Sequence, residues 1–300
     1  GSMSGIEWTD RVWNPVRGCS RVSEGCRNCY AERVAGRFSG EGQPYAGFAA
    51  DGKWTGEVAL IEHKLTEPLH WRKPQRVFVN SMSDLFHESM DDEDICRVLA
   101  VMAVTPHLTY QVLTKRPQGM LDFFASGPWD LINAWAGELK HWDDMEECTM
   151  PPQNVWLGVS VEDQTTADER IPLLLKIPAA VRFVSVEPLL APVRLDQLEC
   201  AVRPVSGDTS GPICDSLVDF PHVDWVIVGG ESGPNARPCD VTWIRSIVEQ
   251  CSTSGIPVFV KQLGSRPIVD VADALRELQP QGGESNIGGW PGDAGWWESE

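Results

Sequence analysis

Three cysteines lie close together near the start of the chain, a pattern typical of metal ligands. Cys19, Cys26 and Cys29 have the spacing C-x6-C-x2-C. Gly18 and Gly25 lie in the same segment, and glycine tolerates the tight and left-handed turns that fold a loop back on itself. The three thiols can therefore face a common centre, so the segment predicts a metal site held by cysteine.

The choice of metal depends on how many further ligands the chain offers. A structural zinc ion takes four ligands, usually two separated cysteine pairs or cysteines with histidines at short spacing. The chain has no second C-x2-C, and its six histidines are dispersed: His63, His70, His87, His107, His141 and His222. Three thiolates instead suit a 4Fe-4S cluster whose fourth iron is open to an exogenous ligand. Zinc remains the alternative.

Short β-branched runs recur along the chain, and helical patterns follow several of them, as in repeated βα units with a parallel sheet. We predict an α/β fold, a partial or complete (β/α) barrel of the TIM type with six to seven parallel strands. The predicted strands are Val12–Asn14, Val77–Asn80, Tyr110–Leu113, Val155–Val159, Phe183–Val186, Trp225–Val228 and Val258–Val260. The predicted helices are Asp92–Val104, Gln164–Leu175 and Thr242–Cys251.

The predicted barrel spans residues 6–264, and three segments within it are too long for minimal βα units. Glycine, proline or charged residues interrupt all three, which indicates loops inserted into the barrel. These segments are residues 39–56, 123–153 and 194–221. Residues 265–300 form an acidic extension rich in glycine and tryptophan. Its part from residue 279 has little periodicity, so we expect that part to be loosely attached.

Composition limits the class of protein. The 300 residues are 42% hydrophobic, enough for a buried core. The apolar run Val98–Val104 is far shorter than the roughly 20 residues of a membrane span, so no membrane partner is expected. With no secretory signal and an odd count of nine cysteines, we expect a cytoplasmic protein with reduced thiols. A net charge of −18 disfavours unspecific binding to nucleic acid, although residues 11–37 hold six arginines against two glutamates.

Polar side chains follow the predicted strands. Reactive groups of parallel barrels lie on the loops at the carboxyl ends of the strands. Those loops carry, besides the cysteines, Ser81, Ser83, Asp84, Lys115, Arg116, Glu187, Glu231 and Lys261. No phosphate-binding glycine loop, G-x-S-x-G elbow or H-E-x-x-H helix accompanies them, which argues against an ATPase or a conventional hydrolase.

With its three-cysteine loop after the first strand, the chain resembles the radical S-adenosylmethionine (radical SAM) superfamily, whose barrel is partial. It is similar in particular to a phage-associated three-cysteine protein family. The motifs that carry this resemblance are Trp13-Asn14-Pro15-Val16-x-Gly18-Cys19, Cys26-x-Asn28-Cys29-Tyr30-Ala31-Glu32, Asn80-Ser81-Met82-Ser83-Asp84-Leu85-Phe86, Leu113-Thr114-Lys115-Arg116-Pro117, Ser185-Val186-Glu187-Pro188-Leu189 and Gly229-Gly230-Glu231-Ser232-Gly233.

Two features depart from the commonest superfamily pattern. The usual cysteine spacing is C-x3-C-x2-C, whereas this loop has six residues in its first interval. A Gly-Gly-Glu motif usually follows the second strand, where it meets the amino group of SAM. Here Gly229-Gly230-Glu231 follows a late strand, so that role does not transfer directly to these residues.

The resemblance implies two cofactors, a 4Fe-4S cluster on Cys19, Cys26 and Cys29 and SAM bound to its open iron. One electron would cleave the sulfonium, and the resulting radical would abstract hydrogen from a substrate. By charge, Lys115, Arg116 or Lys261 would offset the SAM carboxylate. The amino group or ribose hydroxyls of SAM would meet acidic or hydroxyl side chains, namely Glu187, Glu231, Ser81, Ser83 and Asp84. The alternative for Lys115 and Glu187 is a simple ion pair at the rim.

The resulting expectation is a cytoplasmic radical SAM enzyme. Its implied partners are a low-potential electron donor, such as flavodoxin or ferredoxin, and a nucleotide or nucleic-acid base as substrate in a phage-related modification pathway. The alternative is a non-catalytic iron–sulfur or zinc module that serves as a redox sensor or partner platform. Cluster binding without SAM cleavage distinguishes that alternative from the enzyme.

Overall fold

The computed structural model describes residues 8–140, 151–195 and 222–269. The fold is mixed α/β with seven parallel strands in one sheet, in the order β1-β6-β7-β8-β9-β10-β12. These strands are β1 (Arg11–Trp13), β6 (Gln75–Val79), β7 (Leu108–Thr114), β8 (Val155–Val161), β9 (Val181–Val186), β10 (Trp225–Gly229) and β12 (Val258–Gln262). The predicted α/β class and parallel strands are confirmed, and the sheet is compatible with a partial (β/α) barrel.

The chain divides into two compact units. Residues 1–160 and 177–182 form the first, and residues 161–176 and 183–300 form the second. The division assigns the cysteine loop to the first unit, along with the segments that follow β6 and β7. The segments that follow β9, β10 and β12 belong to the second.

The first unit is built on β1, β6, β7 and β8. Trp13 pairs in register with Val79, and Val79 with Val112 of β7. All residues of β7 except Leu113 are buried, as expected for a parallel strand covered on both faces. The helices of this unit are α1 (Tyr30–Arg37), α2 (Glu62–Leu65), α3 (Asp92–Ala103), α4 (Pro117–Ala125) and α5 (Trp129–Leu139).

The tryptophans near the cysteine loop have packing partners. Trp13 is fully buried, and its indole N–H donates to the carbonyl of Lys64 at 2.8 Å. The ring of Trp8 lies edge-on to Phe78 with 4.7 Å between centroids. Both rings are therefore part of the buried core.

The second unit contains β9, β10 and β12 with helices α6 (Gln164–Leu174) and α7 (Val241–Thr253). Helix α6 begins with a capping box, in which the Asp163 carboxylate accepts the N–H of Thr166 at 2.9 Å and the Thr166 hydroxyl accepts the N–H of Asp163 at 3.1 Å. The two long helices predicted for this unit are confirmed within two residues at each end. The third predicted helix is α3, in the first unit.

Short strand pairs complete the described chain. β2 (Val16–Arg17) pairs antiparallel with β5 (Ala59–Leu60), and β3 (Ala49–Ala50) pairs antiparallel with β4 (Lys53–Trp54) in the predicted 39–56 insertion. β11 (Cys239–Asp240) pairs with β13 (Pro267–Ile268). The predicted 123–153 insertion contains all of α5, which packs on α3.

Parts of three predicted segments lie outside the described residues, namely 141–150, 196–221 and 270–300. Among the helices that are described, none has the length and apolarity needed to cross a membrane.

Candidate functional site

The cysteine loop begins at a glycine that no other residue can replace without moving the backbone. Gly18 has φ +90°, and a Cβ at this position would lie 1.9 Å from the carbonyl oxygen of Glu57. Gly18 also forms a parallel bridge with Ser83, in the segment after β6. The chain can thus turn closely against its neighbours immediately before Cys19.

The other two cysteines are placed by short helical elements. Glu24–Cys26 forms a 3-10 turn, and the N–H of Cys29 donates to the carbonyl of Cys26 at 3.3 Å. Cys29 is the residue that precedes α1, and its carbonyl accepts the N–H of Arg33 at 3.2 Å. The third thiol therefore lies at the N-terminal end of a helix, where backbone N–H groups favour negative charge.

Cys19 and Cys29 are partly buried and Cys26 is buried, and all three thiols are free. Burial, and then the charge of Asp84, raises the pKa of Cys19 to about 12. Burial also raises the pKa of Cys29, although the backbone N–H groups of Glu32 and Ala31 act in the opposite direction. Metal binding at these sulfurs must therefore displace protons, so it becomes weaker as the pH falls.

These residues fit an iron–sulfur cluster by the chemistry of their donors. Cysteine is the usual ligand of 4Fe-4S clusters, and here one loop carries three cysteines whose thiols are free. Within the described ranges, no three His, Cys, Asp or Glu side chains converge to hold a single metal ion. A cluster spreads its ligands over separate irons, so it does not need that convergence.

Arg116, the second residue after β7, contacts the cysteine loop. Its Nη2 donates to the hydroxyl of Ser20 at 2.7 Å and to the carbonyl of Ser20 at 3.2 Å. Its Nη1 lies 3.9 Å from the sulfur of Cys19 and 3.3 Å from Oδ2 of Asp84. Its Nε lies 2.9 Å and 3.0 Å from the carboxylate oxygens of Glu88. The cation thus joins the first cysteine to the segments that follow β6 and β7.

Asp84 holds that arrangement from the β6 side. One carboxylate oxygen accepts the hydroxyl of Thr114 at 2.7 Å and the N–H of Phe86 at 3.1 Å. The other accepts the N–H of Lys115 at 3.0 Å, besides Arg116. Asp84 is buried, and protein donors form hydrogen bonds with both of its carboxylate oxygens.

A serine–histidine contact lies beside the loop and was not predicted from the sequence. His87 Nε2 is 2.8 Å from the Ser20 hydroxyl, and His87 Nδ1 accepts the N–H of Ser89 at 3.1 Å. Because Nδ1 is an acceptor, the neutral ring carries its proton on Nε2 and donates it to Ser20. His87 is therefore in the wrong tautomer to serve as a base for a Ser20 nucleophile. The only sequence signal was its position, three residues after Asp84.

The remaining candidates of the first unit also have protein partners. Ser81 donates to Oδ1 of Asn14 at 3.2 Å, and Ser83 donates to the carbonyl of Val16 at 2.9 Å. The Lys115 ammonium donates to the hydroxyl of Ser160 at 2.7 Å. The first unit therefore brings Cys19, Asp84 and Arg116 into one connected set of contacts, which Lys115 joins through its backbone N–H. Ser83 lies beside the loop through its contacts with Val16 and Gly18.

Asn80, which begins the polar segment after β6, has an unusual conformation. Its φ is +59°, in the left-handed region that non-glycine residues rarely adopt. Its Oδ1 accepts the N–H of Val16 at 3.4 Å, whereas its buried Nδ2 has no hydrogen-bond partner within the described chain. Strained and unsatisfied groups of this kind are frequent at functional sites.

The candidates of the second unit form two ion pairs. Glu187 accepts Lys261 Nζ at 2.8 Å and 2.9 Å and Gln262 Nε2 at 3.2 Å. Glu231 accepts the backbone N–H and the guanidinium of Arg237, at 2.6 to 3.0 Å. The structure thus pairs Glu187 with Lys261, both of which were predicted site residues. It pairs Glu231 with Arg237, which was not predicted from the sequence.

The Gly229-Gly230 pair has a packing role at the end of β10. A Cβ at Gly230 would lie 2.5 Å from the carbonyl oxygen of Leu263, and one at Gly229 would lie 3.3 Å from that of Gln262. The pair lets the end of β10 approach the backbone after β12. This close approach explains the two glycines without a bound nucleotide.

Comparison with known proteins identifies a family. A family model described as "Protein of unknown function (DUF5131)" matches residues 3–284. No curated protein and no solved structure matches the chain.

Proposed function

Because the chain belongs to the DUF5131 family, whose description assigns no activity, we propose its function from the site itself: it is a radical SAM enzyme. The observation that carries this proposal is the C-x6-C-x2-C loop, which follows the first strand of a parallel α/β sheet and holds three free, largely buried thiols. Cys19, Cys26 and Cys29 would hold a 4Fe-4S cluster with one iron open to SAM.

Each part of the chain has a defined task in this proposal. A 4Fe-4S cluster held by Cys19, Cys26 and Cys29 would supply one-electron chemistry, in which an electron taken from an external donor would cleave the SAM sulfonium so that hydrogen abstraction from a substrate could follow. The loop holds the three sulfurs and shields them, and Asp84 and Arg116 fix its first residue. Helix α1 presents its N-terminal end to Cys29, and the backbone N–H groups there partly offset the effect of burial on the pKa of that thiol.

SAM binding is proposed for the polar residues that follow the strands. In the first unit, Lys115 offers a cation to the SAM carboxylate, and Ser81 and Ser83 offer hydroxyls to its amino group or ribose. In the second unit, Glu187, Glu231 and Lys261 have the corresponding charges. A drop in SAM affinity on substitution of each residue, measured by calorimetry, tests these assignments one at a time.

The proposed partners follow from the chemistry. A cytoplasmic electron donor of low potential, such as flavodoxin or ferredoxin, would reduce the cluster, and a nucleotide or nucleic-acid base would be the substrate. The six arginines of residues 11–37 support an anionic substrate. The net charge of −18 favours a specific site over general affinity for nucleic acid.

Anaerobic reconstitution tests the proposal. The protein is incubated with iron, sulfide and thiol, and bound iron, sulfide and the low-temperature electron paramagnetic resonance spectrum are measured. Dithionite and SAM are then added, and we expect 5′-deoxyadenosine to form. An intact 4Fe-4S spectrum without 5′-deoxyadenosine would favour a non-catalytic iron–sulfur module. One bound zinc per chain and no iron in anaerobically purified protein would favour a zinc module.

A further inference from the structure

All five N–H groups of the Arg116 guanidinium are used by protein acceptors. Nε donates to Glu88, Nη1 is directed at Asp84 and the sulfur of Cys19, and Nη2 donates twice to Ser20. A guanidinium has five donors in a fixed planar fork and no more. Arg116 is only 6% exposed, so in this structure it has neither a free donor nor an open face for the carboxylate of a ligand.

The position of this cation is set by the elements around it. The backbone N–H of Arg116 donates to the hydroxyl of Thr114 at 2.8 Å, and that hydroxyl donates to Asp84 at 2.7 Å. Asp84 is itself fixed by the N–H groups of Phe86 and Lys115. The guanidinium of Arg116 is therefore held in position by hydrogen bonds among the residues that end or follow β6 and β7.

On the loop side, the contacts of Arg116 fall on two adjacent residues, Cys19 and Ser20. The next residue is fastened separately, because Arg21 binds the carboxylate of buried Glu32 in α1 and Glu32 also accepts the N–H of Trp54 at 3.1 Å. The segment from Cys19 to Arg21 is thus held at both ends. At the Arg116 end, Nη1 lies 3.9 Å from the sulfur of Cys19.

We infer that Arg116 is a positioning residue for Cys19. It holds Ser20 by both its hydroxyl and its backbone carbonyl, so that the Cys19 sulfur is held in place before any metal binds, and it places a cation 3.9 Å from that sulfur. The first effect concerns the protein alone. The second effect rests on the proposed function, because a cation and an N–H beside a sulfur ligand raise the reduction potential of an iron–sulfur cluster.

Hydrogen–deuterium exchange of the metal-free chain tests the first effect. Arg116→Gln removes the charge and most of the fork, and we expect peptides covering residues 18–29 to exchange about tenfold faster or more, since charge-assisted bonds to the loop are lost. Arg97→Gln is the control. Arg97 also lies between two carboxylates, those of Glu62 and Asp94, but makes no contact with the cysteine loop. Equal exchange of these peptides in Arg116→Gln and the wild type would overturn the inference.

A milder variant covers the case in which Arg116→Gln does not fold. Ser20→Ala removes the hydroxyl that accepts Arg116 at 2.7 Å and His87 at 2.8 Å, and it leaves every carboxylate contact of the arginine in place. His87→Gln is the control, because it changes the contacts of the histidine and leaves those of Arg116 in place. We expect faster exchange confined to residues 18–29, with unchanged exchange of β10 and β12. Wild-type exchange in Ser20→Ala would contradict the inference independently.

The reduction potential of the reconstituted protein separates positioning from mere stability. Arg116→Gln should lower the potential, whereas Arg116→Lys keeps the charge and should lie closer to the wild type while its loop exchange stays raised. Equal potentials in the Gln and Lys variants would exclude the electrostatic effect. If the wild type binds no iron but Arg116→Gln still loosens the loop, the proposed function fails and the positioning role stands.

Discussion

Ser20 accepts a hydrogen bond from His87, with 2.8 Å between Oγ and Nε2. The same hydroxyl accepts Arg116, so a neutral imidazole and a guanidinium meet at one oxygen beside the cysteine loop. Burial, and then the charge of Arg116, lowers the pKa of His87 below its ordinary value. The histidine is therefore held uncharged in the folded protein.

The first prediction concerns pH. Because the pKa of His87 is lower in the folded than in the unfolded chain, the unfolded chain binds more protons as the pH falls through about 6.5 and below. The contribution of His87 to the free energy of unfolding is complete above that pH and is lost on acidification. We expect the loss between pH 7.5 and 5.5 to be smaller in His87→Gln than in the wild type. Urea titration at both pH values measures it, and equal losses would contradict the prediction.

The second prediction concerns the buried carboxylate. Asp84→Asn removes the charge that faces Arg116 and should lower the free energy of unfolding by about 3 kcal/mol, as for breaking one side of a buried ion pair. Asp94→Asn removes a partner of Arg97 that is only half-buried and should cost less than about 1 kcal/mol. Chemical denaturation of both variants provides the comparison. Similar costs would show that burial of Asp84 is not what makes its pair important.

The third prediction concerns Gly18. Gly18→Ala forces a Cβ to within 1.9 Å of the Glu57 carbonyl oxygen and should cost about 3 kcal/mol or more, with loss of iron binding. Gly56 has nearly the same φ, +91°, but a Cβ there would meet no described atom within 4 Å, so Gly56→Ala should cost only about 1–2 kcal/mol. Chemical denaturation and iron analysis of both variants measure these effects. Equal costs would mean that backbone strain alone, without the close contact, limits Gly18.

The fourth prediction concerns the ligands. After anaerobic reconstitution, Cys29→Ala should lose most of the roughly four irons per chain that a full cluster supplies. Cys96→Ala should keep them, because Cys96 is a buried thiol of α3. Burial raises the pKa of Cys96 to about 11, so the control is also a thiol disfavoured as a thiolate. Equal iron content in the two variants would remove Cys29 from the ligand set.

The strands and the cysteine loop were predictable because their signals are local. Buried parallel strands are continuous β-branched runs, and β7, β8 and β10 lie where those runs occur. Helix α5 was assigned to an insertion, since it follows Gly127 and Pro128, which are typical of irregular segments. Its helical state depends on packing against α3, which the sequence does not display.

The role of Arg116 could not be predicted because it depends on distant partners. Lys115 and Arg116 are adjacent cations after the same strand, and either one suits an anionic ligand. Arg116 differs from Lys115 in its two contacts with Ser20, a residue that lies 96 positions earlier in the chain. A one-dimensional pattern shows charge and order, but it does not show which of two neighbouring side chains turns toward the loop.

Cys29 is at once the third cysteine of the loop and the residue on which α1 begins. An eight-residue helix has little intrinsic stability, so its first turn depends on whatever anchors it. Glu32 already anchors this turn through Arg21 and Trp54, and in the proposed enzyme a ligand at the Cys29 sulfur would add a further restraint next to the exposed ring of Tyr30. Metal occupancy of the cysteine loop would then change the mobility of the protein surface around Tyr30.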